Sequence, residues 1–419
     1  MTERLYRHDP YVLEFDAVVV ARRQHGDRPA VVLDRTAFYA ESGGQPWDTG
    51  TLGGASVVAV IEEDGEILHV LDAPIPEDRV HGTVDGPRRL DHMQQHHGQH
   101  LLSRALVEGA SARTLSFHLG AEDVTIDLDR HVSEDELRRA EARANEIVWQ
   151  ARPVTAREVA RKEAESLLAG DIGRLHGGPA PDDRAQNRSA RALDEAGDRV
   201  RVVEVQGFDL QACSGTHPRT TAEVGVVLVV GHERYKGGSR IRFVCGHRAV
   251  AAAHRRQRVL DELGAAFSSG LEGLPDAARR ILDQLRESQR RGQDLLDRAM
   301  EGEARRLLAE AGGVPAVVVR AYDGWPAADL RVLAGHLVAR APCVALLGSR
   351  ADKAYLVFAQ SEGLPHDVAA LLRDALAFVG GRGGGRGNLA QGGGDRVDGL
   401  DAALARAEQT VRARAAGEA

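Results

Sequence analysis

Residues 90–107 read LDHMQQHHGQHLLSRALV, and this stretch limits what the rest of the chain can be. No proline falls within it, and its one glycine is Gly98. Apolar residues at Leu90, Met93, Leu101, Leu102, Ala105 and Leu106 follow the spacing of one helix face. On such a helix His96 and His100 are four residues apart, so their rings rise from one face a turn apart. Two imidazoles at that spacing suit one divalent metal ion. His92 lies one further turn back on that face, and His97 points elsewhere. Taken alone, the stretch reads equally as a helix whose histidines and glutamines are solvated or packed in a core.

A second stretch shifts that balance. Residues 211–218 read QACSGTHP, and Cys213 and His217 are again four apart, in a turn-forming context. One soft thiolate with three imidazoles is a donor set for a single Zn²⁺ per chain, whereas Mg²⁺ or Ca²⁺ would ask for carboxylates. The HExxH pattern of zinc proteases is missing, since no Glu follows His96. Half-sites more than a hundred residues apart predict a centre assembled between elements, not a compact finger.

The 419 residues suggest two to four domains, and 43% hydrophobic with 28% charged residues is ordinary for a globular chain. Three cysteines, Cys213, Cys245 and Cys343, form no disulfide framework and fit a reducing cytosol. The opening MTERLYRHDP lacks a secretory apolar core, and no apolar run long enough to span a bilayer occurs. The expectation is a cytoplasmic protein without a membrane span.

A net charge of −8 argues at first against nucleic acid, but clustering matters more than the total. Between His232 and Arg258 stand Arg234, Lys236, Arg240, Arg242, Arg248, Arg255, Arg256 and Arg258 against the single Glu233. Only three of the 54 basic residues are lysines, so arginine abundance is a general bias and the clustering is the informative part. The plain alternative is a solvated basic face.

Along the chain, residues 12–84 read as short β-rich runs separated by turn signals, as in a small barrel or sandwich. Within them TAFYAESGGQPWDTG (36–50) holds a Gly43-Gly44-Gln45 turn that presents Gln45 toward a ligand, or simply a loop that needs positive φ at glycine. Residues 114–129 predict two strands joined at 120–123, and Ser133 opens a helix with a capping box that ends near Trp149. Residues 157–169 suggest a further helix, and 173–189 a polar loop. Strands follow at 200–205, 224–230 and 240–244, the last two around a basic loop at 235–239. Residues 249–310 are charged and helical, broken at 270–275, with a partly apolar stripe that suits a helical hairpin or a dimerising coil. From Gly312 strands and helices alternate, and residues 380–394 carry nine glycines in fifteen residues without a P-loop ending. There Arg382, Arg386, Asn388 and Gln391 suggest a loop that contacts phosphate or ribose, against a flexible linker as the plain alternative.

Together HHGQHLLS, CSGTH, FYAESGGQPWDTG and GGRGGGRGNLAQGGG resemble the alanyl-tRNA editing proteins, free-standing relatives of the editing domain of alanyl-tRNA synthetase. The resemblance covers nearly the whole chain and implies an α+β multidomain fold. Its parts would be a small translation-factor-like β-barrel (1–89), an α+β zinc editing domain (90–248), a helical connector (249–311) and a C-terminal α/β DHHA1-like domain (312–419). It implies trans-editing, the zinc-dependent hydrolysis of seryl-tRNA(Ala) and glycyl-tRNA(Ala), with zinc on His96, His100, Cys213 and His217. Where the synthetase helix carries Thr one residue before the second His, this chain has Gln99. Gln99, Ser116 and Gln45 are the expected substrate-facing residues, and Arg234, Lys236, Arg240, Arg242, Arg382 and Arg386 the expected tRNA contacts. A homodimer through the connector or the DHHA1-like domain is a further expectation. No aminoacylation core is expected, since the chain opens at the barrel, and Asp91-His92-Met93 is not the Asp-His-His motif of a phosphoesterase. Two other functions fit the same residues: a tRNA-binding module with a purely structural zinc, and editing of another mischarged aminoacyl-tRNA.

Overall fold

Strict alternation shapes the start of the chain: along the strand Glu14–His25, Phe15, Ala17 and Val19 turn inward while Val18 and Val20 face out. The computed structural model describes residues 2–176, 198–415 and 417. They fall into two units, Met1–Glu262 and Leu263–Ala419. In the first, strands Glu14–His25, Arg28–Leu33, Glu66–Leu71, Ala55–Glu63, Gly50–Leu52 and Arg79–Val84 pair in that order and close into a barrel. Phe15, Leu33, Phe38, Leu52, Ile67 and Leu71 fill it. A Cβ on Gly82 would stand 2.6 Å from the Phe15 ring, so that wall admits only glycine.

His69 is buried in this barrel. Its Nδ1 donates to the Val31 carbonyl at 3.2 Å, and its Nε2 accepts from the Thr36 hydroxyl at 2.7 Å. Burial disfavours the imidazolium and brings the pKa down to about 4. An unfolded chain takes up that proton near 6.5, so between these values it binds more protons than the fold, and stability falls as pH falls. The loss is roughly 3 kcal/mol across the interval, at about 1.4 kcal/mol per pKa unit. We expect urea unfolding between pH 6.5 and 4.5 to show a shallower pH dependence for His69→Gln than for the parent; equal slopes would remove His69 as a source.

The histidine helix follows as Gly86–Ala110, capped by the Asp85 side chain and ended by Ser111 in the left-handed region. Two buried glutamines along it serve as backbone clamps. Gln94 donates to the Glu223 carbonyl at 2.9 Å, and Gln95 exchanges two bonds with the Cys245 backbone at 2.8 and 3.0 Å. Gly98 lets the helix lie on Cys245, whose Sγ would be 2.2 Å from an added Cβ. The helix Glu134–Trp149 opens with the expected Ser133–Glu136 capping box. An antiparallel sheet runs in the order Val227–Tyr235, Gly238–Cys245, Val124–Leu128, Thr114–Leu119. The expected basic loop at 235–239 is a tight hairpin turn, with Lys236 and Gly237 both at positive φ.

A second sheet orders Val154–Ala160, Arg199–Val205 and Asp209–Ala212. Here the sequence expectation of a helix over 157–169 needs correction. Residues up to Ala160 are strand, and the helix is Arg161–His176. Pairing of Arg157 with Val202 and of Val159 with Val200 outweighs the helical propensity of the run. The polar loop expected at 173–189 lies outside the described residues from 177 onward; 173–176 close that helix.

In the second unit, the helix Leu274–Ala311 precedes a five-stranded sheet in the order Ala316–Asp323, Cys343–Arg350, Ala354–Gln360, Leu389–Gly394, Gly381–Arg386. Only its first pair is parallel. Helices Ala327–Arg340, Val368–Val379 and Leu400–Ala415 accompany it. The glycine-rich segment is neither the loop nor the linker expected of it but an edge hairpin. A Cβ on Gly381 or Gly385 would meet the neighbouring strand at 1.9 or 2.3 Å, so these two glycines permit close pairing. No described helix is long and apolar enough to cross a membrane.

Candidate metal centre

Both halves of the predicted donor set lie in the first unit. His96 and His100 stand on the histidine helix, and Cys213 and His217 on the turn after strand Asp209–Ala212. His96 Nε2 lies 3.1 Å and His217 Nε2 3.3 Å from Cys213 Sγ. One donor atom from each of the four residues falls within 4.8 Å of the others. A tetrahedral zinc with bonds of about 2.0 Å to nitrogen and 2.3 Å to sulfur would place these pairs roughly 3.5 Å apart. These two pairs need only a slight expansion to hold such an ion, the four donors together lie within a few tenths to about an ångström of the required spacing, and a thiolate with three imidazoles is the right chemistry for one.

The electrostatics are those of a site built for positive charge. Burial alone would raise the Cys213 thiol, but His96, His217 and His100 hold it well below its ordinary value, as a thiolate. Against its own burial, His100 is raised to about 9 by Cys213 and by Asp209, whose carboxylate lies 3.5 Å from His100 Nδ1. Burial lowers His217 to about 3.

The turn is held from two sides. Arg201, half-buried beneath it, donates to the carbonyls of Cys213 at 3.0 Å and Gly215 at 2.8 Å. From the barrel loop, Gln45 donates to Thr216 Oγ1 at 2.8 Å and accepts from the Thr216 N–H at 3.1 Å, while Ser42 meets Ser214 at 3.0 Å. A Cβ on Gly215 would stand 2.6 Å from the His96 ring, and one on Gly44 2.7 Å from Phe117. Phe117 in turn sets its ring edge-on to His96, with centroids 5.6 Å apart.

The remaining expected residues are placed less uniformly. Gln45 spends both ends of its amide on Thr216 and so holds the Cys213–His217 turn from the barrel side. Gln99 is buried and donates to Ser103 Oγ at 2.8 Å, which continues to Thr114 Oγ1 at 2.6 Å. Ser116 stands on the exposed face of its strand, opposite Phe117, and donates to Asp127 at 2.7 Å; it is not brought to the cluster. His97, expected to point elsewhere, sets its Nδ1 3.0 Å from Nδ1 of His217.

The basic cluster is thinner than the sequence suggests. Arg240 pairs with Asp127 at 2.6 Å, Arg242 with Asp123 at 3.4 Å and Arg248 with Asp91 at 2.6 Å. Arg234 and Lys236, exposed near the hairpin tip, have no carboxylate partner among the described residues, and the same holds for Arg382 and Arg386 in the second unit. Asp209, Arg201, Phe117 and His97 are the site residues that sequence reasoning missed. The spacing of Asp209, four residues before Cys213, was the one available signal.

Comparisons with known proteins agree with this layout. The DHHA1 domain family matches residues 313–413, the family of class II (A) tRNA synthetases residues 10–87, and the second additional domain of threonyl and alanyl tRNA synthetases residues 200–242. The last match includes Cys213 and His217. The alanine–tRNA ligase of Natronomonas pharaonis is 34% identical over 98% of this chain, which spans only 44% of that ligase. The solved C-Ala domain of Aquifex aeolicus alanyl-tRNA synthetase is 30% identical and covers 22% of this chain and 86% of its own, with a TM-score of 0.21 that carries no argument about shape. The alanyl-tRNA editing protein AlaX-L of Pyrococcus horikoshii is 30% identical across 94% of both chains. A likeness that runs nearly end to end over both partners makes this chain a member of the alanyl-tRNA editing protein family.

Proposed function

We propose that the chain is a trans-editing aminoacyl-tRNA hydrolase that deacylates seryl-tRNA(Ala), and glycyl-tRNA(Ala) with it, at one zinc ion held by His96, His100, Cys213 and His217. The observation that carries this is the convergence of the two distant clasps into one compact donor set. When bound, zinc supplies a Lewis acid beside the ester of the terminal ribose. The protein's own part is to hold the donors, exclude bulk water and recognise the misplaced amino acid. Cognate alanine lacks the serine hydroxyl, and a buried polar group that needs that hydroxyl is left unpaired by alanine; such sites discriminate by about 10⁴-fold or more. Gln99, buried in the same helix as two of the donors, is the residue we assign to that task. Ser116 is withdrawn from it, because its hydroxyl is committed to Asp127 on the outer face.

In this reading residues 1–89 support the metal turn, 90–248 carry the chemistry, and 249–311 and 312–419 bind tRNA or a second copy of the chain in the cytoplasm. Arg234, Lys236, Arg382 and Arg386 are its phosphate contacts. A second reading, a tRNA-binding module with a structural zinc, is favoured by one observation: four protein donors complete a tetrahedral shell.

The test is a deacylation assay over seryl-, glycyl- and alanyl-tRNA(Ala) and other mischarged tRNAs. Hydrolysis of the first two with alanyl-tRNA(Ala) spared supports the proposal. Stoichiometric zinc and tRNA binding without any hydrolysis favours the structural reading. Gln99→Ala should erode the serine-over-alanine preference by at least about tenfold while slowing total hydrolysis less. Equal losses on both esters would remove Gln99 from the pocket.

A further inference from the structure

The two Nδ1 atoms of His97 and His217 face each other at 3.0 Å, both rings buried and nearly perpendicular at 87°. Two ring nitrogens at that distance share one proton, so one donates and the other accepts. His217 turns Nε2 toward Cys213 Sγ, the side on which the four donors converge. An ion there takes the Nε2 lone pair and leaves the His217 proton on Nδ1. His97 Nδ1 must then accept, with its own proton on Nε2. We propose that His97 is a positioning residue that fixes the ring and the tautomer of His217 for metal binding, by accepting the His217 Nδ1–H bond. The inference rests on the donor set assigned under the proposed function.

Three features support it. A metal-bound imidazole ordinarily hands its second nitrogen to an outer partner, and His100 does so with Asp209. His217 has no carboxylate within 4.0 Å among the described residues, and His97 occupies that place. Secondly, the helix is packed tightly beside the contact, since Gly98 is seated on Cys245 with no room for even one further carbon. Lastly, His97 Nε2 is buried and without a hydrogen-bond partner among the described residues. Packing alone would be better served by an apolar side chain, so the ring is explained by what its Nδ1 does.

The experiment uses the full chain and competition for Zn²⁺ against a chromophoric chelator. His97→Leu removes the acceptor and should weaken zinc binding about 10–100-fold. His97→Asn, whose amide oxygen can accept from His217, should stay within a few-fold of the parent. Melting of the chelator-stripped proteins checks that each folds. Nitrogen-15 histidine spectra of the zinc-loaded parent give a readout that needs no variant: His217 protonated on Nδ1, His97 on Nε2. The opposite tautomers overturn the proposal, as does parental affinity in His97→Leu, or an Asn variant as weak as the Leu one. A parent that binds no stoichiometric zinc brings down the donor assignment itself, a result distinct from the parent and both variants binding alike.

Discussion

Cys213→Ala should leave the chain unable to retain zinc and unable to hydrolyse seryl-tRNA(Ala). Cys213 is the anionic member of the donor set, and His96, His217 and His100 hold its thiol well below the ordinary range against the push of burial. Without it a divalent ion faces three imidazoles only, and His100 loses one of the two anions that raise it. Loss of an outer partner in a metal site costs about 10–100-fold in affinity, so loss of the thiolate itself should cost at least about 10³-fold. Metal analysis after dialysis against a chelator reads the first effect, and the deacylation assay reads the second. The controls lie in the same chain. Burial pushes the Cys343 thiol up, away from the thiolate that a soft metal takes, and Cys343→Ala should keep both zinc and activity. Full zinc occupancy in Cys213→Ala would refute the donor set.

These donors were legible because each half is local. A four-residue spacing on a helix or in a turn fixes two rings or a ring and a thiol without knowledge of the rest of the fold. What the spacing could not show is what other elements bring. His97 sits off the His96 face of its own helix, and its partner comes from a turn 120 residues later. Asp91, Asp123 and Asp127, each more than a hundred residues before its arginine, pair three of the basic residues in a cluster that looks wholly unpaired in one dimension. The loop of Gln45 is visible in the sequence, but its partner Thr216 lies 171 positions away. Residues 157–160 carry helix formers and lie in a sheet because Arg199–Val205 pairs with them. In each case the deciding term is a long-range contact that local propensity does not contain.

The same holds for the buried ion pair of Arg89 with Asp48, 41 positions apart. Arg89→Met should unfold the first unit at markedly lower temperature. The Arg89 guanidinium donates to the Asp48 carboxylate, to the Ala37 carbonyl at 2.6 Å and to the Pro10 carbonyl at 2.5 Å. Arg89 is 1% exposed and Asp48 fully buried, and Asp48 also accepts the Tyr39 N–H at 2.7 Å. Breaking such a pair leaves a buried carboxylate uncompensated and costs about 3–5 kcal/mol. For a unit of this size that is a fall in Tm of roughly 6–20 °C. Asp48→Asn on the Arg89→Met background keeps an acceptor for Tyr39 while removing the stranded charge, and should recover part of the loss. The pair also ties the barrel loop to the start of the histidine helix. That loop carries Ser42 and Gln45, which grip Ser214 and Thr216, and that helix carries His96 and His100. Arg89→Met should therefore release zinc to a chelator at lower temperature than the parent, in step with the melt. A Tm within about 2 °C of the parent, less than one kcal/mol on this scale, would show that the buried pair contributes little to holding the two halves of the metal site together.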